Sequence, residues 1–328
     1  MKVLIIGSTG TLGRQIAKKA IDSGFQVRCM VRRPRKASYL QEWGCELTQG
    51  DLLNPDDIKY ALKGVDAVID SATSRPDDSR SVYETDWDGK LNLYRACDAA
   101  GVKRVVFLSL LAAEKFRNVP LMDIKYCTER LLQDSSLEFT ILQGAAFMQG
   151  VIGQFAIPIL DSQPVWISGN SSEIAYMNTE DMAAFVIAAL NRPQTIRGTY
   201  AVVGPKAWKS EEVASLCERV SDKKAKILRV SPALIGIAKT LVSFFQASLN
   251  VAERLDFADV SGSGVRLDAP MEETYKTFGL DPSDTTTLDV YIKEYYDVIL
   301  KRLREMEADL NREQRKNFPF KRQKLDFL

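Results

Sequence analysis

A glycine-rich turn near the start of the chain carries the clearest chemistry. Three glycines recur at every third position directly after the apolar run 3–6. Between a buried strand and a helix, such glycines allow a tight bend, a close approach of backbone to phosphate, and packing of helix on strand. Amides at the helix N-terminus then bind the charge of a pyrophosphate. The turn therefore predicts dinucleotide binding through Gly7, Ser8, Thr9, Gly10, Thr11, Leu12 and Gly13.

Basic residues follow the second predicted strand, at the place where NAD-selective sites carry an acid for the ribose hydroxyls. Arg32 and Arg33 stand there, with Arg35 and Lys36 just beyond. Guanidinium groups suit a 2′-phosphate. This turn favours NADP(H) over NAD(H), and an ordinary solvated basic turn is the alternative.

Further contacts to the dinucleotide are expected after the third and fourth predicted strands. Asp51 and Leu52 follow the third strand, and Asp51 is placed to contact the adenine edge. Ser71 and Ala72 follow the fourth strand and should lie along the phosphate and ribose. Because the carboxyl ends of parallel strands meet at one edge of a sheet, these residues are expected near the glycine turn.

The composition excludes several other chemistries. The chain has no histidine, which excludes Ser-His and Cys-His mechanisms and removes the commonest metal ligand. Five scattered cysteines lack metal-ligand spacing and are interpreted as reduced core thiols. A net charge of +1 gives no global attraction to nucleic acid or membrane. We expect no metal and no nucleic-acid partner, and any basic surface must be local.

The elements that position these residues alternate along the first half of the chain. Helical patterns separate apolar runs, as in βαβ units. Six strands are predicted at 3–6, 26–31, 46–49, 67–70, 104–108 and 139–142. Helices are predicted at 11–23, 38–43, after Pro55, at 82–100 and from Lys125. The pattern predicts an α/β fold: a Rossmann-type doubly wound parallel sheet with a smaller mixed C-terminal region.

Beyond residue 144 the alternation loosens. We predict a strand near 174–176, an element at 200–203, a helix at 180–190 and a helix capped by the Ser210 hydroxyl. The predicted divisions are a dinucleotide-binding domain at 1–150, a substrate or partner region at 151–310 and a basic tail at 311–328.

Two late segments have the composition of docking surfaces. Residues 234–251 are apolar with one narrow polar stripe, which predicts an amphipathic helix rather than a membrane span. It packs within the C-terminal region or docks on a membrane surface or membrane-protein partner. A helix at 289–310 precedes the basic tail, which is either solvated and disordered or an arm for anionic headgroups or a partner.

Four features together resemble the NmrA-like type of atypical short-chain dehydrogenases/reductases. They are the turn GSTGTLG, the stretch GDLLNPDDIKYALKGVDAVID, the segment GVKRVVFLS and the helix around Lys125. Conventional members place a tyrosine four residues before the lysine, and this chain has Leu121 there. Their helper serine lies just past Ser109, where this chain has Leu110 and Leu111. The resemblance implies that Lys125 contacts the cofactor and is the one remaining proton-handling group.

Other segments resemble the NmrA-like photosystem II assembly factors of plastids and cyanobacteria. They are AEKFRNVPLMDIKYCTERLL, GAAFMQGVIGQFAIPILD, AYMNTEDMA and VVGPKAWKSEEVASLCERVS. The resemblance implies peripheral association with the thylakoid, on the plastid stromal or cyanobacterial cytoplasmic face. It also implies chlorophyll delivery and partners among photosystem II reaction-centre subunits and small high-light-inducible chlorophyll-binding proteins.

Three hypotheses follow for the function. The favoured one is an NADP(H)-binding photosystem II assembly factor without conventional reductase catalysis and without catalytic residues. The alternative is an NADPH-dependent reductase of a small apolar substrate, a quinone or pigment precursor, that uses Lys125. A sensor of the NADP⁺/NADPH ratio is compatible with the first.

Overall fold

The structure is a computed structural model that describes residues 1–74, 80–230 and 260–309, the last ten of these as helix backbone only. The predicted amphipathic segment 234–251 and the tail 311–328 lie outside the described residues. Among the helices of the described ranges, none has the length and apolar character needed to cross a bilayer.

A seven-stranded parallel sheet forms the centre of the fold. Its strands run in the order β3-β2-β1-β4-β5-β6-β11, with the strands numbered along the chain. The strands are β1 Lys2–Ile6, β2 Gln26–Val31, β3 Glu46–Gln49, β4 Ala67–Asp70, β5 Arg104–Leu110, β6 Glu138–Gly144, β7 Ala146–Phe147, β8 Pro164–Ser168, β9 Glu173–Ile174, β10 Tyr176–Met177, β11 Gly198–Ala201, β12 Lys226–Val230 and β13 Arg266–Leu267. The remaining strands form three separate parallel pairs, β7 with β10, β8 with β12 and β9 with β13.

Helices cover both faces of the sheet. The α-helices numbered here are α1 Thr11–Asp22, α2 Ser38–Glu42, α3 Pro55–Ala61, α4 Gly89–Ala100, α5 Pro120–Gln133, α6 Met148–Val151, α7 Ile157–Leu160, α8 Thr179–Asn191, α9 Ser210–Ser221, α10 Glu272–Phe278 and α11 Leu288–Asp309. Strand β1 shows why helices are needed on both sides: Val3 and Ile5 join one core, Leu4 and Ile6 the other. A strand with apolar residues on both faces is stable only when both faces are buried.

The six predicted strands and the Rossmann-type fold are confirmed. The predicted helix at 82–100 contains a π-helical turn, Glu84–Asp88, before α4 begins. The strand predicted near 174–176 is two short strands, β9 and β10. The predicted Ser210 cap is wrong. Lys209 is the N-cap residue of α9, and the Glu212 carboxylate accepts from its amide at 2.8 Å.

The chain beyond residue 150 also contributes to the central sheet. Strand β11 pairs with β6, and helix α8 packs against α1. The predicted division at residue 150 stays a prediction, and any substrate or partner region shares this layer with the dinucleotide domain.

Candidate dinucleotide site

The glycine turn joins β1 to α1 in a conformation that only glycine fits. Gly7 has φ +83°, and a Cβ on it would lie 2.7 Å from the Ala72 Cα. A Cβ on Gly13 would lie 2.1 Å from the Gly7 carbonyl oxygen. Both distances are far below van der Waals contact, so the turn requires bare backbone at these two positions.

The N-terminus of α1 is suited to an anion. Gly10 is its N-cap residue; within the described residues no side chain caps it, and the first turn carries no acid. The first amides of a helix have no partner within the helix and carry the positive end of its dipole. The turn and Thr11 therefore form a phosphate cradle of the kind the predicted dinucleotide requires.

Ser71 and Ala72 lie against the cradle, as their position after β4 predicts. The Ser71 amide and hydroxyl both donate to the Ile6 carbonyl, at 3.1 Å and 2.8 Å. The backbone of both residues borders the space beside Gly7. The structure thus brings the first and fourth strand ends together at the predicted phosphate position.

The opposite end of the predicted site is a cluster of charged side chains. Arg32 and Arg33 are exposed after β2, and Leu52 is buried after β3. Asp51 forms an ion pair with Arg80, a residue that the sequence analysis missed. Burial raises the pKa of Asp51, but hydrogen bonds from Arg80 and Leu53 and the charge of Arg32 outweigh it and lower the pKa. The Asp51 carboxylate therefore stays ionised between guanidinium groups.

A buried ion pair holds the loop that follows β4. Lys90 donates to both carboxylate oxygens of Asp70, at 2.7 Å and 2.8 Å, and to the Ala72 carbonyl at 2.9 Å. The Tyr94 hydroxyl donates to the same carboxylate at 2.6 Å. Both charged side chains are fully buried. Removing either partner would leave an unpaired buried charge, so this cluster fixes the chain beside Gly7.

Lys125 lies in a second buried ionic cluster, on α5. Its ammonium donates to the Leu108 carbonyl at 3.0 Å and lies 3.9 Å from Asp86 Oδ1. The other Asp86 oxygen accepts from the Ser74 amide at 2.8 Å. Burial lowers the pKa of Lys125 to about 8, with repulsion from Lys90 adding to the shift. Lys125 is thus a cation that can exchange a proton near neutral pH.

Apolar residues occupy the positions of the two missing catalytic groups. Leu121 lies one helical turn before Lys125. Leu110 ends β5, and the Leu111 amide donates to the Gly144 carbonyl at 2.9 Å. Tyr126 packs against Arg117, whose guanidinium carbon lies 4.7 Å from the ring centre.

Ser109 points into a buried polar group that sequence reasoning missed. Its hydroxyl donates to the Glu129 carboxylate, which also accepts from Gln143 Nε2 at 2.9 Å. Burial raises the pKa of Glu129 although both hydrogen bonds oppose the shift. These partners lie 20 and 14 residues apart in sequence, so no local pattern connects them.

The donor types fit a dinucleotide and fit a metal poorly. Among the described residues no group of histidine, cysteine or acidic side chains could hold a metal ion. The five cysteines carry free thiols, and four of them are buried. The phosphate cradle, the guanidinium cluster and Lys125 are the features available for contact with a bound dinucleotide.

The chain is similar to known proteins over most of its length. The model of the NmrA-like family matches residues 1–272. A Synechocystis protein named photosystem II assembly factor Ycf39 is 48% identical over 311 residues, covering 95% of each chain. The chloroplastic protein high chlorophyll fluorescence phenotype 244 of Arabidopsis thaliana is 40% identical over 93% of this chain and 77% of its own.

A solved structure shows the same fold. The NADPH-dependent quinone oxidoreductase QOR2 of Escherichia coli, complexed with NADPH, has a TM-score of 0.71 and 24% identity. The match covers 90% of this chain and 99% of that one. From its sequence match and its fold, the chain belongs to the NmrA-like family, and photosystem II assembly factors are among its relatives.

Proposed function

We propose that this protein is an NADP(H)-binding photosystem II assembly factor that works at the thylakoid surface. One observation carries the proposal: 48% identity to an assembly factor over 95% of both chains. The partners we propose are nascent reaction-centre subunits and small high-light-inducible chlorophyll-binding proteins, and the task is assisting chlorophyll delivery to them.

The site supports a bound dinucleotide with three groups of residues. Backbone at Gly7 to Gly13 would hold the pyrophosphate, and Arg32 with Arg33 would hold the 2′-phosphate of NADP(H). NADPH when bound supplies a hydride. Lys125 would help to hold the cofactor and would supply the proton-handling group of the family pattern that remains, since Leu121 has no hydroxyl. Binding without conventional turnover follows from this combination.

A second function is favoured by the surroundings of Lys125. Its pKa of about 8 suits proton transfer near neutral pH, because general acids work best when their pKa is close to the working pH. A reductase of a small quinone or pigment precursor would use this ammonium as its proton donor.

Turnover assays separate the two functions. The purified protein is mixed with NADPH and a panel of quinones and pigment precursors, and absorbance at 340 nm is followed. We expect no substrate-dependent oxidation. Turnover that Lys125→Ala abolishes, while NADPH still binds, would establish the reductase instead.

A complementation experiment tests the assembly role. The gene is expressed in Synechocystis cells that lack their own relative, and photosystem II accumulation is measured. We expect both the wild type and Lys125→Ala to restore accumulation. Rescue by the wild type alone would support catalysis, and failure of an expressed, folded wild type would contradict the assembly role.

A further inference from the structure

The pair of strands β8 and β12 exposes an unusual set of side chains outside the central sheet. Trp166 is 66% exposed, and Leu228 and Ile227 are 42% and 39% exposed. Lys226 and Arg229 beside them are also exposed. Trp166, Leu228 and Lys226 share one face of the pair, while Ile227 and Arg229 lie on the other with Val165 and Ile167. We call Trp166, Leu228 and Lys226 the ribbon surface.

The exposure of Trp166 follows from the alternation of strand β8. Its neighbours Val165 and Ile167 are buried in the core, so Trp166 must point outward. Register places Trp166 directly opposite Leu228. Opposed residues of paired strands share a face, so the indole and the leucine form one apolar patch.

Lysines lie on the face of this patch and just before strand β12. Lys223 and Lys224 precede β12 and are exposed, as are Lys226 and Arg229. Arg229 lies on the opposite face of the pair and forms an ion pair with Glu211 at 2.9 Å, so Lys226 is the cation of the two strands that shares the face of the patch. The exposed acids Asp161 and Asp222 also precede the two strands. Lysines on an edge strand also deter pairing with other strands, but that role does not account for an exposed tryptophan.

We propose that the ribbon surface docks on an anionic lipid bilayer. Tryptophan favours the boundary between headgroups and acyl chains, where its apolar ring and its N–H are both satisfied. Lys226 on the same face, and Lys223 and Lys224 before β12, are attracted to anionic headgroups. An anionic membrane surface therefore offers partners for both the lysines and the apolar patch. The proposal rests on the thylakoid location proposed above and supplies the surface for it.

This docking leaves the dinucleotide site separate. No residue of the ribbon surface belongs to the phosphate cradle or the guanidinium cluster. Substitutions in the ribbon surface are therefore expected to weaken lipid binding and to leave NADPH binding unchanged.

Vesicle binding tests the proposal. Full-length protein is sedimented with vesicles of phosphatidylcholine alone, and of phosphatidylcholine and phosphatidylglycerol in equal parts. We expect binding only to the anionic vesicles, weakening as salt is added. Trp166→Ala should weaken it about tenfold, and Lys226→Gln about fivefold.

Matched variants and a spectroscopic signal distinguish docking from general damage. Tyr60 is a 61% exposed aromatic on α3, so Tyr60→Ala should bind vesicles like the wild type. Brominated lipids should quench the tryptophan fluorescence of the wild type. In Trp166→Phe this quenching should be lost, while vesicle binding and NADPH binding remain.

Three results would overturn the proposal. Equal binding to both vesicle types would remove the anionic preference. Full binding by Trp166→Ala, with release instead by Phe244→Asp, would place the membrane contact in residues 234–251. If the purified wild type binds no vesicle but the Trp166→Ala variant is released from native thylakoids, the surface would be assigned to a protein partner. None of these results bears on the rescue of photosystem II accumulation, which tests the assembly role by itself.

Discussion

Lys125 and Lys90 place two ammonium groups over the same aromatic ring. Their Nζ atoms lie 4.9 Å and 5.2 Å from the centre of the Phe107 ring. The ring attracts both cations, but the cations repel each other in surroundings with little water. Lys90 has the Asp70 carboxylate in direct contact, whereas Lys125 lies 3.9 Å from Asp86. The charge of Lys125 therefore has less direct compensation, and its pKa is lowered.

Stability should depend on pH through Lys125. Its pKa is about 8 in the fold against an ordinary value of 10.5. Between these values the unfolded chain holds the proton and the folded chain does not, so the free energy of unfolding rises with pH. Compared with Lys125→Met, the wild type should gain roughly 1.4 kcal/mol per pH unit in this range, and about 3 kcal/mol in total.

Urea unfolding at several pH values between about 7 and about 10 measures this difference. Leu121→Ala is the matched control, since it alters the same helix face and keeps Lys125. The difference between Leu121→Ala and the wild type should stay level with pH. If the difference in unfolding free energy between Lys125→Met and the wild type does not change with pH, burial does not destabilise the charged ammonium.

At the scale of elements, Arg104 connects strands of the sheet to the segment beyond residue 150. Its guanidinium donates to the Glu138 carbonyl at 2.6 Å, and to the Thr140 hydroxyl and Ala189 carbonyl at 2.7 Å each. It also donates to the Thr195 hydroxyl at 3.2 Å. Burial lowers the pKa of Arg104 to about 10. One side chain thus joins β5, β6 and the end of α8.

Arg104→Met should destabilise the whole chain. It leaves buried carbonyl and hydroxyl groups without their donor, at a cost of about 2 to 4 kcal/mol. Arg104→Lys should recover only part of this, because one ammonium cannot reproduce the planar fork of donors. Chemical denaturation measures the free energy of unfolding of both variants. Hydrogen exchange at β11 measures the local loss of protection.

The manner of unfolding tests the division at residue 150. We expect β11 to lose its exchange protection together with β5 and β6, in one cooperative transition. Earlier loss of protection at β11 alone would show that the later segment unfolds independently of the sheet.

The elements that sequence predicted are those with local signals. The six strands are apolar runs beside turns, and the glycine turn is a seven-residue pattern. Strand β11 is short and half-exposed, and it pairs with a strand nearly sixty residues earlier, so only the sheet itself reveals its role.

The ionic clusters were beyond local patterns for the same reason. Asp70 and Lys90 are 20 residues apart, and Asp51 and Arg80 are 29 apart. Asp70 did offer a signal, because a carboxylate that ends a fully buried strand needs a partner. The sequence did not indicate which lysine supplies it.

At the scale of the whole molecule, charge is balanced, so local clusters of charge determine which anions the chain attracts. With 44 basic and 43 acidic residues, the chain exerts little long-range attraction on any polyanion. Discrimination between NADP(H) and NAD(H), which differ by one phosphate, must then come from side chains at that phosphate. Arg32 and Arg33 are exposed cations directly after β2, with the exposed Arg35 and Lys36 just beyond them.

Ligand-induced thermal stabilisation tests this discrimination. A ligand at about 100 times its Kd stabilises the folded state by about 2.7 kcal/mol, which raises Tm by several degrees. NADPH should raise the Tm of the wild type more than NADH at the same concentration. In the double variant Arg32→Ser, Arg33→Ser, the rise with NADPH should fall to that with NADH. Arg266→Ser, which removes an exposed arginine paired with Asp268, should keep the wild-type difference. Equal rises with NADPH and NADH in the wild type would mean that these arginines form only a solvated turn.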